Sequence, residues 1–68
     1  MSETFPEAYD RELERNEELL REYRQLPAES GWFAVSVLTD LVERARKARR
    51  ELDTVEMLAC YAQLQQSE

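Results

Sequence analysis

Gly31-Trp-Phe-Ala-Val-Ser-Val-Leu38-Thr-Asp-Leu-Val-Glu-Arg-Ala45-Arg-Lys-Ala-Arg-Arg-Glu51 is the stretch on which the fold turns. It contains no internal glycine or proline, and its residues Ala34, Leu38, Leu41, Ala45 and Ala48 recur at three-four spacing, continued by Leu52. That spacing is the signature of an amphipathic α-helix. The first third departs from the pattern, because Trp32, Phe33, Val35 and Val37 widen the stripe until nearly every side is apolar. The last third is basic, with Arg44, Arg46, Lys47, Arg49 and Arg50 around the two small alanines. The segment therefore predicts a helix over 31–51 whose N-terminal end carries more apolar surface than one neighbouring helix can cover.

Working outward, the sequence predicts two further helices. Thr4-Phe5-Pro6-Glu7 reads as a capping box with proline in the first turn, opening a helix over 5–25. Its apolar line is Tyr9, Leu13, Leu20 and Tyr23, continued by Pro27, with Asn16 completing a short heptad seam. Asn16 admits two readings: a polar residue that sets register inside the seam, or a residue facing water. Proline disfavours helical geometry in the residue before it, so Leu26-Pro27 closes this helix. Ala28 to Gly31 is then expected to be a loop, with Ser30 as the next N-cap. Asp53-Thr54-Val55-Glu56 carries a second capping signal and predicts a break, then a helix over 54–65. Val55, Leu58, Tyr61 and Ala62 are expected to line its inner side, with Met57 and Leu64 towards the edge. A single bent helix from 31 onward is the alternative. The fold class is all-α, two to three helices in a hairpin or bundle, as one domain over 1–68 with residues 1–4 and 66–68 frayed.

Composition narrows the function classes. Sixty-eight residues make at most one small domain, and such domains need a disulfide, a metal or oligomerisation to supplement a small core. One cysteine, Cys60, excludes an internal disulfide, and the absence of histidine leaves no familiar set of metal ligands. Oligomerisation remains, and the sequence points to a homodimer held by Trp32, Phe33, Val35, Leu38 and Leu41. No catalytic base, activated nucleophile or glycine-rich phosphate loop is recognisable, so a non-enzymatic protein without cofactor or metal is expected. Cys60, between Ala59 and Tyr61, reads as a buried inert thiol. The lone thiol, the start without a leader pattern and the lack of a long apolar run suggest a soluble cytoplasmic protein.

The charged surfaces offer two further readings. Eight acidic residues of the first helix region, among them Glu7, Asp10 and Glu17, are interspersed with arginines, giving expected pairs such as Glu7 with Arg11 and Glu17 with Arg21. The same acidic face could act as a DNA-mimic decoy. The run 44–50 reads as a solvated face able to pair with the acidic first helix, or as a phosphate-binding patch of a small dimeric nucleic-acid regulator. A net charge of −6 and the lack of interleaved aromatics weigh against nucleic acid. Arg44, Lys47 and Arg50 are the candidate partner-binding residues on this face.

From Leu19 onward the order Leu-Leu-Arg-Glu-Tyr-Arg-Gln-Leu-Pro, Ser-Gly-Trp-Phe-Ala, Val-Leu-Thr-Asp-Leu-Val-Glu-Arg-Ala and Leu-Asp-Thr-Val-Glu-Met-Leu-Ala-Cys-Tyr-Ala-Gln-Leu resembles small helical proteins carried by temperate phages and prophages of Pseudomonas and its relatives. Some proteins of that group bind host regulators or motor ATPases. Its quorum-sensing anti-activator type forms a helical dimer and captures a LuxR-type transcription factor. The resemblance implies a phage-encoded inhibitor that blocks a host regulatory protein by direct contact, in the host cytoplasm. It carries over no individual residue.

Overall fold

The computed structural model describes residues 2–67, a bundle of three α-helices: α1 (Phe5–Arg24), α2 (Ala28–Glu51) and α3 (Thr54–Gln66). α1 opens where expected. Extended Thr4 accepts the Glu7 N–H through its hydroxyl oxygen, at 3.4 Å, and donates to the Glu7 carboxylate at 3.1 Å. The helix closes at Gln25, whose N–H donates to the carbonyl of Glu22.

The expected loop over Ala28–Gly31 is absent, and α2 begins directly after Pro27. Pro27 stands at φ −55° and ψ 142°, and its carbonyl accepts the Gly31 N–H at 3.2 Å. The proline thus occupies the cap position itself, and Ser30, expected as the N-cap, lies inside the first turn. Gly31 is buried where the two helices meet. A Cβ there would stand 3.2 Å from the Tyr23 carbonyl oxygen, closer than ordinary packing, so glycine lets α2 start against the end of α1.

Leu52 was expected to finish the α2 stripe. It instead takes the left-handed conformation, φ 54° and ψ 38°, and is 69% exposed. The Asp53 N–H donates back to the Ala48 carbonyl at 3.0 Å, which ends α2 in the manner of a Schellman cap. Asp53 then caps α3 by accepting the Glu56 N–H, so the predicted break and its Asp53–Glu56 signal are present. At the far end Gln66 is helical and Ser67 donates from its hydroxyl to the Gln63 carbonyl. Residues 1 and 68, expected to fray, lie outside the described residues.

The core joins Tyr9, Leu13, Asn16 and Leu20 of α1 to Leu38, Leu41, Val42, Ala45 and Ala48 of α2. α3 contributes Met57, Cys60 and Leu64. This reverses the predicted face of α3: Val55 and Leu58 are exposed, Tyr61 is half-buried, and Ala62 faces out. Both sets have helical spacing on opposite sides of one helix. The turn through left-handed Leu52 sets which side meets the core.

Two polar groups tie the bundle together. The buried Tyr9 hydroxyl donates to the Ala45 carbonyl at 2.7 Å, and the Phe5 ring meets both Tyr9 and Tyr61 edge to face. Asn16 is fully buried and donates its amide to the carbonyls of Glu12, at 2.8 Å, and Leu64, at 3.1 Å. Arg15 also donates to the Leu64 carbonyl. The last carbonyls of a helix lack partners within it, so α1 supplies donors to the end of α3 and fixes how far along α1 it sits. The register reading of Asn16 is the one the fold uses, within the chain.

Candidate functional site

The helices differ in length: α2 has 24 residues and α3 only 13. At 1.5 Å rise per residue α3 is about 16 Å shorter. It packs along the C-terminal half of α2 and stops near the middle, so the seam between α1 and the start of α2 has no third helix over it. The chain exposes 4953 Å². A folded monomer of 8.1 kDa is expected to expose about 4500 Å². The excess fits an elongated molecule of 41 × 25 × 17 Å with one seam left open.

That open seam is a groove of about 270 Å³. Leu19 and Tyr23 of α1 form one wall, Phe33, Ala34 and Val37 of α2 the other, and Leu38 and Leu41 the floor; Ser67, just beyond α3, closes one end. Among the described residues, those that line it carry no charge. At its rim Trp32 and Phe33 are 65% and 68% exposed and pack edge to face, ring centroids 5.8 Å apart. Together they present on the order of 300 Å² of aromatic surface. Leu26 and Val37, about half exposed, extend the patch. An exposed apolar surface of this kind is a candidate interaction site.

The five residues expected at an interface are therefore divided. Trp32 and Phe33 are largely exposed, Trp32 and half-buried Val35 line a second depression with Tyr23, Arg24, Leu26 and Gly31, and Leu38 and Leu41 belong to the chain's own core. Val37, one of the residues expected to widen the apolar end, completes the groove together with Leu19, which the sequence reading did not place there. Their signal was present in sequence: Leu19 is four residues before Tyr23, and Val37 is four after Phe33.

The basic run is largely engaged. Arg49 pairs with Asp10 at 2.8 Å, Arg46 with Glu17, and Arg44 with Glu56 at 2.8 Å. The expected pairing of the run with α1 is thus present. Among the described residues Lys47 and Arg50 have no ion-pair partner. Arg44 and Lys47 line a cleft with Glu51, Asp53 and Glu56, so carboxylates alternate with cations there; Arg50 is not part of it. Along α1 the pairs are Glu3–Arg11, Glu12–Arg15 and Glu18–Arg21, not the expected Glu7–Arg11 and Glu17–Arg21. Glu7 is held by Thr4 and Glu17 by Arg46, which removes both from the predicted pairings.

Titration properties follow these contacts. Burial raises the Tyr9 hydroxyl from 10.0 to about 12, reinforced by Cys60 and Glu56. Burial also pushes the Cys60 thiol above its ordinary value, and that thiol donates to the Glu56 carboxylate at 3.6 Å. The hydrogen bond from Arg44 lowers Glu56. A thiol held in its protonated form is a poor nucleophile. Among the described residues no group of three or more His, Cys, Asp or Glu is placed to hold a metal ion. No helix among them is long and apolar enough to cross a membrane.

Comparison with protein-family models, with curated proteins and with solved structures finds no match.

Proposed function

We propose that this chain is a non-enzymatic protein-interaction module whose open α1–α2 groove receives an amphipathic helix of another protein. One observation carries the reading: α3 is about 16 Å shorter than α2, and the seam this leaves between α1 and the start of α2 is lined, among the described residues, by uncharged and mostly apolar side chains, Phe33 with them. A partner helix of about eleven residues spans that distance. Apolar residues at i, i+3 or i+4, and i+7 would take the place that a longer third helix would occupy. Aromatic residues beside a desolvated groove are the usual energetic anchors of such contacts.

The narrower form of the proposal is a phage-encoded inhibitor that blocks a host regulatory protein, with a LuxR-type transcription factor as the first partner to assay. Its support is the resemblance of residues 19–64. The test is capture of the partner from host lysate, identification, and reconstitution of the purified pair, followed by hydrogen exchange on the complex. Protection gathering at residues 19–23 and 33–41 supports the groove. Protection centred on 44–50, or recovery of nucleic acid whose affinity falls steeply with salt, would replace it with the charged surfaces. Protection of 33–41 from a second copy alone would make this end a homodimer contact.

A further inference from the structure

The outer face of α3 stands apart from the rest of this surface. The chain has 24 charged residues among 68 if all Asp, Glu, Lys and Arg are counted, yet residues 57–67 contain none. On the side of α3 away from the core, Val55, Leu58, Ala59 and Ala62 are exposed, continued by Gln65 and Gln66. Leu52 joins them at the corner, and Leu52, Val55 and Leu58 are 69%, 79% and 54% exposed. Solvated helix faces in so charged a protein ordinarily carry charge. This one repeats at three-four spacing with no charge along its length.

We infer that this face pairs with the same face of a second copy, α3 against α3 in antiparallel orientation about a two-fold axis. Its large and small residues are arranged for that pairing. With the axis between residues 58 and 59, Leu58 of one copy meets Ala59 of the other and Val55 meets Ala62. Each large side chain lies over a small one, and the alanines let the backbones approach closely. Electrostatics select the same face. A chain of net charge −6 repels its own copy at most surfaces, whereas Val55, Leu58, Ala59 and Ala62 bring no charge to this contact. Two helices meeting over about 20 Å bury less than the roughly 800 Å² per partner of a standard interface. The dimer is accordingly weak, assembling in the micromolar range or above. This pairing does not depend on the α1–α2 groove, which it leaves open.

The test is sedimentation of the full chain from about 10 μM to about 1 mM, with far-ultraviolet circular dichroism confirming the fold of each variant. The variants are Ala62→Glu, Val55→Lys, the two combined, and Trp32→Ser; all three positions are exposed. The wild type is expected to dimerise, and each α3 substitution alone to weaken the dimer by more than about tenfold. The double variant is expected to return to within about threefold of wild type, because the new Lys and Glu face each other only between copies, being two turns apart within one chain. Trp32→Ser is expected to leave the dimer intact. A wild type that stays monomeric throughout overturns the inference. So does a double variant no better than the singles, or a dimer lost with Trp32→Ser and kept with Ala62→Glu.

Discussion

Replacing Tyr9 by phenylalanine removes one buried oxygen and leaves the ring in place. Near pH 8 the cost is the hydrogen bond to the Ala45 carbonyl, 2.7 Å long, or about 1 kcal/mol. The pH dependence is the sharper signature. The Tyr9 hydroxyl ionises at about 12 in the fold against 10.0 for an unhindered tyrosine. A raised value means that the native state holds the proton more tightly. The stabilisation is fully present below pH 10 and is lost as pH rises from 10 towards 12. At pH 11 the loss amounts to about 1.4 kcal/mol. The phenylalanine variant has no such group, so its stability falls less over the same interval. Urea unfolding of both proteins at pH 8 and pH 11 measures the difference, the remaining ionisable groups being common to both. The variant is expected to be less stable at pH 8 and equal to or more stable than wild type at pH 11. An unchanged gap between the two curves would refute the account of Tyr9 as a buried, hydrogen-bonded phenol.

Other perturbations act on single features of the bundle. Asn16→Asp puts a carboxylate against the carbonyls of Glu12 and Leu64; it should cost about 3 kcal/mol or more at neutral pH, shrinking as acid protonates it, as thermal melts at pH 7 and pH 3.5 would show. Leu52→Gly removes the left-handed strain at φ 54° and should add about 0.5–1 kcal/mol of stability in dilute solution, measured by urea unfolding. Cys60, buried and with a raised thiol, should react with iodoacetamide at least about tenfold more slowly in the native than in the unfolded protein, read by mass spectrometry.

Local chemistry was the most legible part of this chain. Thr4 with Glu7 and Asp53 with Glu56 act over one turn each, and both helix starts stand where those residues predict. The start of α2 departs from the expected place because Pro27 itself occupies the cap position, which the proline rule alone does not reveal. The inner face of α3 differs from expectation for another reason. Val55, Leu58 and Ala62 have the same helical spacing as Met57, Cys60 and Leu64, and periodicity names a stripe without saying which way it points. That direction depends on Leu52 leaving α2 in the left-handed region, a conformation uncommon for leucine. The surplus of apolar residues over 32–38 was visible in sequence. Its division was not: Leu38 and Leu41 serve the core while Trp32 and Phe33 stay outside, because this depends on where α3 ends along the seam.

In the proposed function the uncovered end of the α1–α2 seam serves binding and contributes little to folding. Phe33→Ser combined with Val37→Ser tests it most directly, since both residues are more than half exposed. The measurement is calorimetric titration of the identified partner into wild type and double variant, beside the urea midpoint of each. Affinity is expected to fall by about 100-fold or more, with stability changed by no more than about 0.5 kcal/mol per residue. Unchanged affinity with a collapsed midpoint would show that these side chains hold the fold together, and would contradict it.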